Sequence, residues 1–353
     1  MGRVGLTTIG TLGVLLAATL AGILVGPADL ALRGVVVELI DRLPLVTVDS
    51  GLDDRAAAIL WQIRLPRVVL GLLVGATLSL AGGAYQGVFR NPLADPYLLG
   101  AAAGAGLGAT VVIALDVQAG WGPFDTLPAL AFLGALGAVA CAYVAGSTNA
   151  FAVAADTGNG QAASRSATTL VLAGVAIASL FTAIQTFVQQ RDRESVQEVY
   201  SWILGRLSTG GWGEVRLLAP FTVVAAAGIL AHRRSLDVLA VGDEEATALG
   251  LRVDRTRLWV VVAASLGTAA AVSVSGLIGF VGIIVPHTIR LLVGRHSFRV
   301  ILPLALLGGA AFLVLSDLVA RTVLEPAEIP IGVVTALVGA PFFLLLLARG
   351  RMA

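Results

Sequence analysis

Few residues in this 353-residue chain are of types that make or break bonds. All 23 basic residues are Arg, and there is no Lys. That removes the phosphate-loop lysine of P-loop ATPases and any Schiff-base or lysine-base mechanism. Cys141, the one cysteine, sits in an apolar run, so neither a disulfide framework nor a thiolate metal site is available. His232, His287 and His296 are scattered without metal-ligand spacing, so no bound metal is expected. His287 follows Pro286 in an apolar stretch. Intramembrane ionisable groups are often functional, but a solitary one reads better as a hydrogen-bonded packing residue. An intramembrane serine protease needs Gly-x-Ser on one span and His on a neighbour. No Gly stands two residues before Ser275, and no oxyanion loop is evident. A proton-driven exporter needs ionisable groups buried mid-span, and the span interiors are almost free of them.

The elements that carry these residues are set by composition. The chain is 57% hydrophobic and 13% charged, with a mean hydropathy of +0.92, whereas soluble domains carry about 25% charged residues. A crossing helix takes ~20 apolar residues. Ten windows qualify, near 6–26, 65–88, 97–115, 127–146, 168–189, 213–231, 257–275, 276–294, 301–321 and 331–348. The first is too long for a signal-peptide core and lacks a clear cleavage site, so it is read as retained. The seventh and eighth windows meet at "SVSGLIG", whose small residues suit a tight turn. The expectation is an all-α, multi-pass membrane protein with about ten spans in one domain over 1–353. Ten spans put both termini on one side. If that side is cytoplasmic, the inner segments hold 13 of the 23 arginines and 7 of the 22 acids, in keeping with the positive-inside rule.

Four connections are more than linkers. In 190–212, Val196, Val199, Ile203 and Leu207 recur at helical spacing between charges. This predicts an amphipathic helix on the outer surface, with Trp202 and Trp212 as interfacial anchors. The polar segment 147–166 reads as flexible. In 232–257, Leu236, Leu239, Ala240, Ala246, Leu249 and Leu251 alternate with charges, which predicts two short amphipathic helices broken at Gly242 with Asp243 as N-cap. A loop of that length with its own apolar face is expected to bind a partner. Finally, "RNPLADPYLLG" (90–100) forms an elbow between two spans: Pro92 and Pro96 stop the helix, while Asn91 and Asp95 cap freed backbone groups. "AGG" at 81–83 and "GAAAGAGLGA" at 100–109 permit close helix contact. Tyr85 and Gln86 read as helix–helix glue.

The chain resembles the FecCD family over about Arg64 to Leu347. The resemblance rests on seven blocks in order: "RLPRVVLGLLVGATLSLAGGAYQGVFRNPLADPYLLG", "VLAGVA", "SWILGRLSTGGW", "LAVGDEEATALGLRVDRTR", "SGLIGFVGIIVPHTIRLLVG", "SDLVAR" and "EIPIGVVTALVGAPFF". It implies the type II permease fold of an ABC importer in the cell membrane, carrying a ferric siderophore, haem or cobalamin, with siderophore the leading expectation. It also implies a second permease subunit (a copy or a related chain), two ATPase subunits that bind ATP and Mg, and an extracytoplasmic substrate-binding protein. This chain would itself bind no cofactor and catalyse no reaction. Lipid surrounds it, and nothing suggests a nucleic-acid partner. By resemblance, Asn91 and Leu93 belong to the cytoplasmic gate, opposed by Ser166 and Thr168 at the start of the fifth span. That span has a longer, Gly/Ala-rich approach here than the family pattern. Leu239, Gly242, Asp243, Glu244, Glu245, Leu249 and Gly250 lie in the segment that seats on the ATPase. Arg64, Arg67 and Arg321 match the arginines that receive acidic residues of the binding protein, guanidinium being a planar fork that keeps its charge. Arg321 could also pair with Asp317 one turn away.

Overall fold

In a bilayer no water satisfies the backbone, so each apolar stretch must close its hydrogen bonds internally, as a helix does. The computed structural model describes residues 2–26, 28, 31–41, 51–117, 125–147, 167–192, 194–208, 210–294 and 297–348, and each of the ten windows contains a helix. In order these are α1 (Arg3–Leu24), α2 (Leu32–Asp41), α3 (Asp54–Ala58), a π-helical stretch (Ile59–Arg64), α4 (Leu65–Val88), α5 (Ala101–Ala114), α6 (Thr126–Ser147) and α7 (Ala167–Arg191). Then follow α8 (Val196–Ile203), α9 (Trp212–Ala231), α10 (Arg233–Leu239), α11 (Asp243–Ala248), α12 (Val253–Ser275), α13 (Val281–Val293), α14 (Phe298–Thr322) and α15 (Ile331–Ala348). No strand occurs among the described residues. Among the described residues, seven helices are long and apolar enough to cross a membrane: α1, the continuous Asp54–Val88, α6, α7, α9, α12 and α14. Ala101–Ala114, Val281–Val293 and Ile331–Leu346 are shorter apolar helices.

At ~1.5 Å per residue, the 14 residues of α5 and the 13 of α13 fall short of a ~30 Å hydrocarbon core. Irregular backbone adjoins both: the elbow, 89–100, and the turn 276–280, where Gly276 takes φ 68°. Such backbone is tolerated at depth only where protein covers and satisfies it. Ala94, Leu99 and Ile278 are buried. The Tyr97 hydroxyl donates to Ile278 O at 3.0 Å and accepts from Ile278 N at 3.1 Å, so one side chain satisfies both backbone groups at the second break.

α4 is the central post, packed by α9, α12, α13 and α14. Its glycines let backbone touch backbone. A Cβ on Gly75 would stand 2.2 Å from Gly309 O, and one on Gly82 would stand 2.1 Å from Gly282 O. α5 and α6 meet in the same way, Gly104 lying against Gly134. Tyr85 Oη shares a hydrogen bond with Ser265 Oγ at 2.6 Å, and Gln86 Nε2 donates to Gly282 O at 3.0 Å. Both residues are interhelical glue, as expected.

The segments between the windows need several corrections. Between the first two windows lie α2 and α3, which the sequence reading did not expect. The expected amphipathic helix is α8, which exposes Gln197, Glu198 and Tyr200, but Trp202 is no interfacial anchor: Val199 and Trp202 are buried, because the apolar stripe faces the bundle. Trp212 is half-buried and donates from Nε1 to Trp61 O at 2.7 Å. The segment expected to be flexible falls, from residue 148 to 166, outside the described residues, as does His296.

Candidate gate and coupling site

The elbow follows α4 because Pro92 and Pro96 deny the amides a continuing helix needs. Arg90 takes φ 48°, a region where residues other than glycine are uncommon. Asn91 is exposed, its Oδ1 accepts from Leu93 N at 2.9 Å, and its carbonyl accepts from Ala94 N at 3.0 Å. Its side chain therefore caps the turn. Leu93 is partly exposed beside it. Asp95 Oδ1 accepts from Tyr97 N at 2.8 Å. Enclosure by protein pushes the Asp95 carboxyl up to about 6, against the lowering effect of that hydrogen bond. The far end of the elbow meets α7: a Cβ on Gly174, in the "VLAGVA" block, would stand 2.4 Å from Leu98 O. The structure thus brings the elbow and the fifth span together, at Gly174 rather than at the start of the span. Thr168 is exposed, and Ser166 lies outside the described residues.

The segment 232–257 forms α10 and α11 at the same end of the bundle. The break comes at Gly242, with φ 146°, which is itself the N-cap residue. Asp243, expected as the cap, is instead the first helical residue, and its carboxylate accepts from Arg257 Nη2 at 3.0 and 3.2 Å. Arg90 Nη2 approaches the same carboxylate at 3.6 Å. Leu236, Leu239 and Ala246 are buried within the chain, so Leu239 is an anchor and not a docking residue. Asp237 fastens α10 to the start of α14 by accepting from Phe298 N at 2.6 Å and Ser297 Oγ at 2.9 Å. What faces outward is Val241, 64% exposed, and Leu249, 70% exposed, with Glu244, Glu245 and Gly250 around them. Sequence periodicity found the stripe but missed Val241, Arg90 and Arg257. Their signal was adjacency to the "GDEEA" and "RNPLA" blocks.

Arg64, Arg67 and Arg321 lie at the opposite end of α4, and all three are buried. Arg64 Nη1 donates to Ile23 O and Leu24 O, each at 3.1 Å, and Nη2 donates to Ala28 O at 2.6 Å. Arg321 Nη2 donates to Gly22 O at 2.6 Å. The two side chains satisfy carbonyls that α1 leaves open at its C-terminus and place positive charge there. Arg67 grips Asp317 through Nε and Nη2 at 2.9–3.1 Å and Glu328 through Nη1 and Nη2 at 2.7 and 2.9 Å. Docking needs an exposed guanidinium, and these three are internal struts. The i, i+4 neighbour Asp317 does stand beside Arg321, at 3.7 Å.

Two further features lie on the spans themselves. Along α7, Ser179, Thr182, Thr186 and Gln190 are exposed on one helical face with Ala176 and Ala183. His287 is buried, but neither ring nitrogen has a hydrogen-bond partner among the described residues, which corrects its reading as a hydrogen-bonded packing residue. One turn on, Arg290 donates to Gln86 Oε1 and lies over the Phe298 ring, 5.6 Å from its centroid. No cluster of three or more metal-ligating side chains occurs among the described residues.

Comparison with known proteins agrees with this arrangement. The model of the FecCD transport family matches residues 14–349. The cobalamin import permease BtuC of Halobacterium salinarum is 42% identical over 84% of this chain and 75% of its own length. The hemin permease HmuU of Yersinia pestis is 37% identical over 86% and 87%. The ferric dicitrate permease FecD of Escherichia coli is 35% identical over 83% and 86%. A solved metal-chelate-type ABC transporter in an inward-facing conformation superposes with a TM-score of 0.78 at 28% identity, covering 97% of this chain and 98% of the other. These relatives are named as permeases, transport subunits rather than enzymes, and with the apolar helices described above they make this chain a multi-pass membrane protein. The chain belongs to the FecCD transport family of ABC importer permeases.

Proposed function

We propose that this permease conducts a metal chelate into the cell, with its elbow end and both termini in the cytoplasm. The ATPase pair seats on Val241 and Leu249, and the gate is formed by Asn91 and Leu93. The observation that carries the reading is the outward exposure of Leu249, at 70%, on a segment whose other leucines anchor it from inside. An exposed leucine on a folded, acid-rimmed helix is the arrangement of a docking knob. A second permease copy, or a related chain, pairs across the hydroxyl-bearing face of α7, whose Ser179, Thr182 and Thr186 suit a wet pathway better than lipid. Asn91 serves both the turn and the path: its Oδ1 accepts from Leu93 N while its side chain stays exposed.

For the cargo, the siderophore expectation stands beside relatives that import cobalamin, hemin and ferric citrate. The shared chemistry is a bulky metal chelate, and the similarity to the cobalamin permease makes a corrinoid the first cargo to test. Proteoliposomes holding the whole transporter, offered cyanocobalamin, hemin and ferrichrome in parallel, should accumulate cyanocobalamin in an ATP-dependent way. Accumulation of ferrichrome alone would restore the siderophore reading. ATP-dependent uptake of none of the three would overturn the proposed cargo class.

A further inference from the structure

We propose that Asp243 is the link through which movement of the coupling segment reaches the elbow, engaging Arg90 as a releasable clutch. The inference rests on the coupling and gate reading above and adds a relay that reading does not contain.

The argument starts from the asymmetry of one carboxylate. On one side Asp243 holds Arg257, whose side chain is 3% exposed, at 3.0 Å. Releasing that contact would leave a buried charge without this partner, which is strongly unfavourable. Asp243 therefore moves with the start of α12. On the other side stands Arg90, whose side chain is 42% exposed, at 3.6 Å. A solvated pair at that distance is weak and readily exchanged for water. One contact is permanent and the other can open and close.

The backbone supports this division. Arg90 sits in the left-handed region at φ 48°, a conformation that persists only where the surroundings impose it. It directly precedes Asn91, and its amide approaches Gly87 O at 3.4 Å. Gly242, immediately before Asp243, takes φ 146°, and a Cβ there would meet Glu245 Oε2 at 2.0 Å. That glycine supplies a pivot at which α11 can turn relative to α10, while Asp237 keeps α10 fixed to α14. A push on Leu249 thus moves α11 about Gly242 together with the start of α12, to which Asp243 holds it through Arg257, and changes the Asp243–Arg90 contact, one residue from the gate.

The test reads the gate without needing to know the cargo. In a Cys141→Ala background, Leu93→Cys is introduced, and cross-linking between permease subunits is followed with and without ATP and Mg in the complete transporter. With Arg90 intact, ATP should lower the cross-linked fraction at least fivefold. In Arg90→Ala the fraction should change less than twofold, with the ATPase chains still copurifying, ATP still hydrolysed and the melting temperature unchanged. Arg90→Lys, which keeps the charge, should restore the response. A full nucleotide response in Arg90→Ala would overturn the relay and leave the gate reading standing. Absence of any Leu93→Cys cross-link with Arg90 intact would overturn the gate reading, and the relay with it. A melting temperature that falls in Arg90→Ala and returns in Arg90→Lys, with no change in nucleotide response, would make Arg90 a purely structural residue.

Discussion

The two ends of α4 use charge in opposite ways. At the Arg67 end, Arg64, Arg67 and Arg321 are buried and engaged with carboxylates or with the open carbonyls of α1, and Asp317 is buried between Arg67 and Arg321. At the elbow end, Arg90, Asn91, Glu244 and Glu245 stand exposed, and one carboxylate serves two arginines of unequal burial. Charges enclosed and satisfied by their own chain act as structure, whereas charges left in solvent remain available to a partner or to a change of state. The difference separates residues that look equally suggestive in a sequence.

The largest expected effect comes from opening the closed end. Arg67→Ala leaves Asp317 and Glu328 without their shared partner, and breaking a buried pair costs about 3–5 kcal/mol. Thermal melts in detergent should show a severely destabilised protein or none recovered. Near-normal melting combined with lost binding-protein affinity would return Arg67 to a docking role. Next in size is the open end. Leu249→Asp should weaken ATPase association by roughly thirtyfold, as expected for a hot spot of ~2 kcal/mol, and leave melting unchanged because Leu249 supports nothing internally. Equal copurification of the ATPase would remove it from the interface.

Asp95 sharpens the comparison because it is a half-buried carboxylate at the elbow end, between the two extremes. Its folded-state value of about 6 lies above the ordinary value of ~3.9, so the folded protein binds this proton more tightly than the unfolded chain. The resulting stability is fully present below about pH 4, is lost as pH rises through about 6, and is absent above that. Asp95→Asn, which keeps an oxygen for Tyr97 N, should raise stability at pH 7.5 by on the order of 1–2 kcal/mol, a tenfold change in proton affinity being worth ~1.4 kcal/mol. It should also flatten this part of the profile between pH 4 and 7 in melts across pH. The smallest effect is expected from Glu328→Gln. The Glu328 side chain is a third exposed, so losing its charge should cost under about 1 kcal/mol, less so in high salt. A loss as large as that of Arg67→Ala would place Glu328 among the enclosed charges.

Much of this was legible in the sequence. A run of apolar residues can satisfy its backbone in lipid only as a helix, so the windows at 65–88 and 257–275 end where α4 and α12 end. The turn at "SVSGLIG" and the elbow between its prolines were legible because Gly and Pro restrict the backbone locally. The inner wiring was not. Arg67 and Asp317 are 250 positions apart, and nothing in the spacing of either records that they meet. The apolar stripe on 232–257 had a period but no direction, so Leu239 was read as facing a partner when it faces the bundle. Trp202 was misread for the same reason. The π-helical stretch that ends at Arg64 follows neither the 3.6-residue nor the 2-residue period, and the helices within 27–63 were hidden by their charges.

Backbone contact at Gly75–Gly309 and Gly82–Gly282 clasps α4 to α14 and α13, and Gly104–Gly134 clasps α5 to α6. Helices held at that separation have no side-chain layer to slide on, so each group travels as one plate. The elbow is the strip of chain that runs from one plate to the other, with the Tyr97 hydroxyl bolting it to the second break. Movement of one plate against the other therefore bends the dozen residues from 89 to 100, and a single methyl group added at Gly82 would force the first plate apart from within.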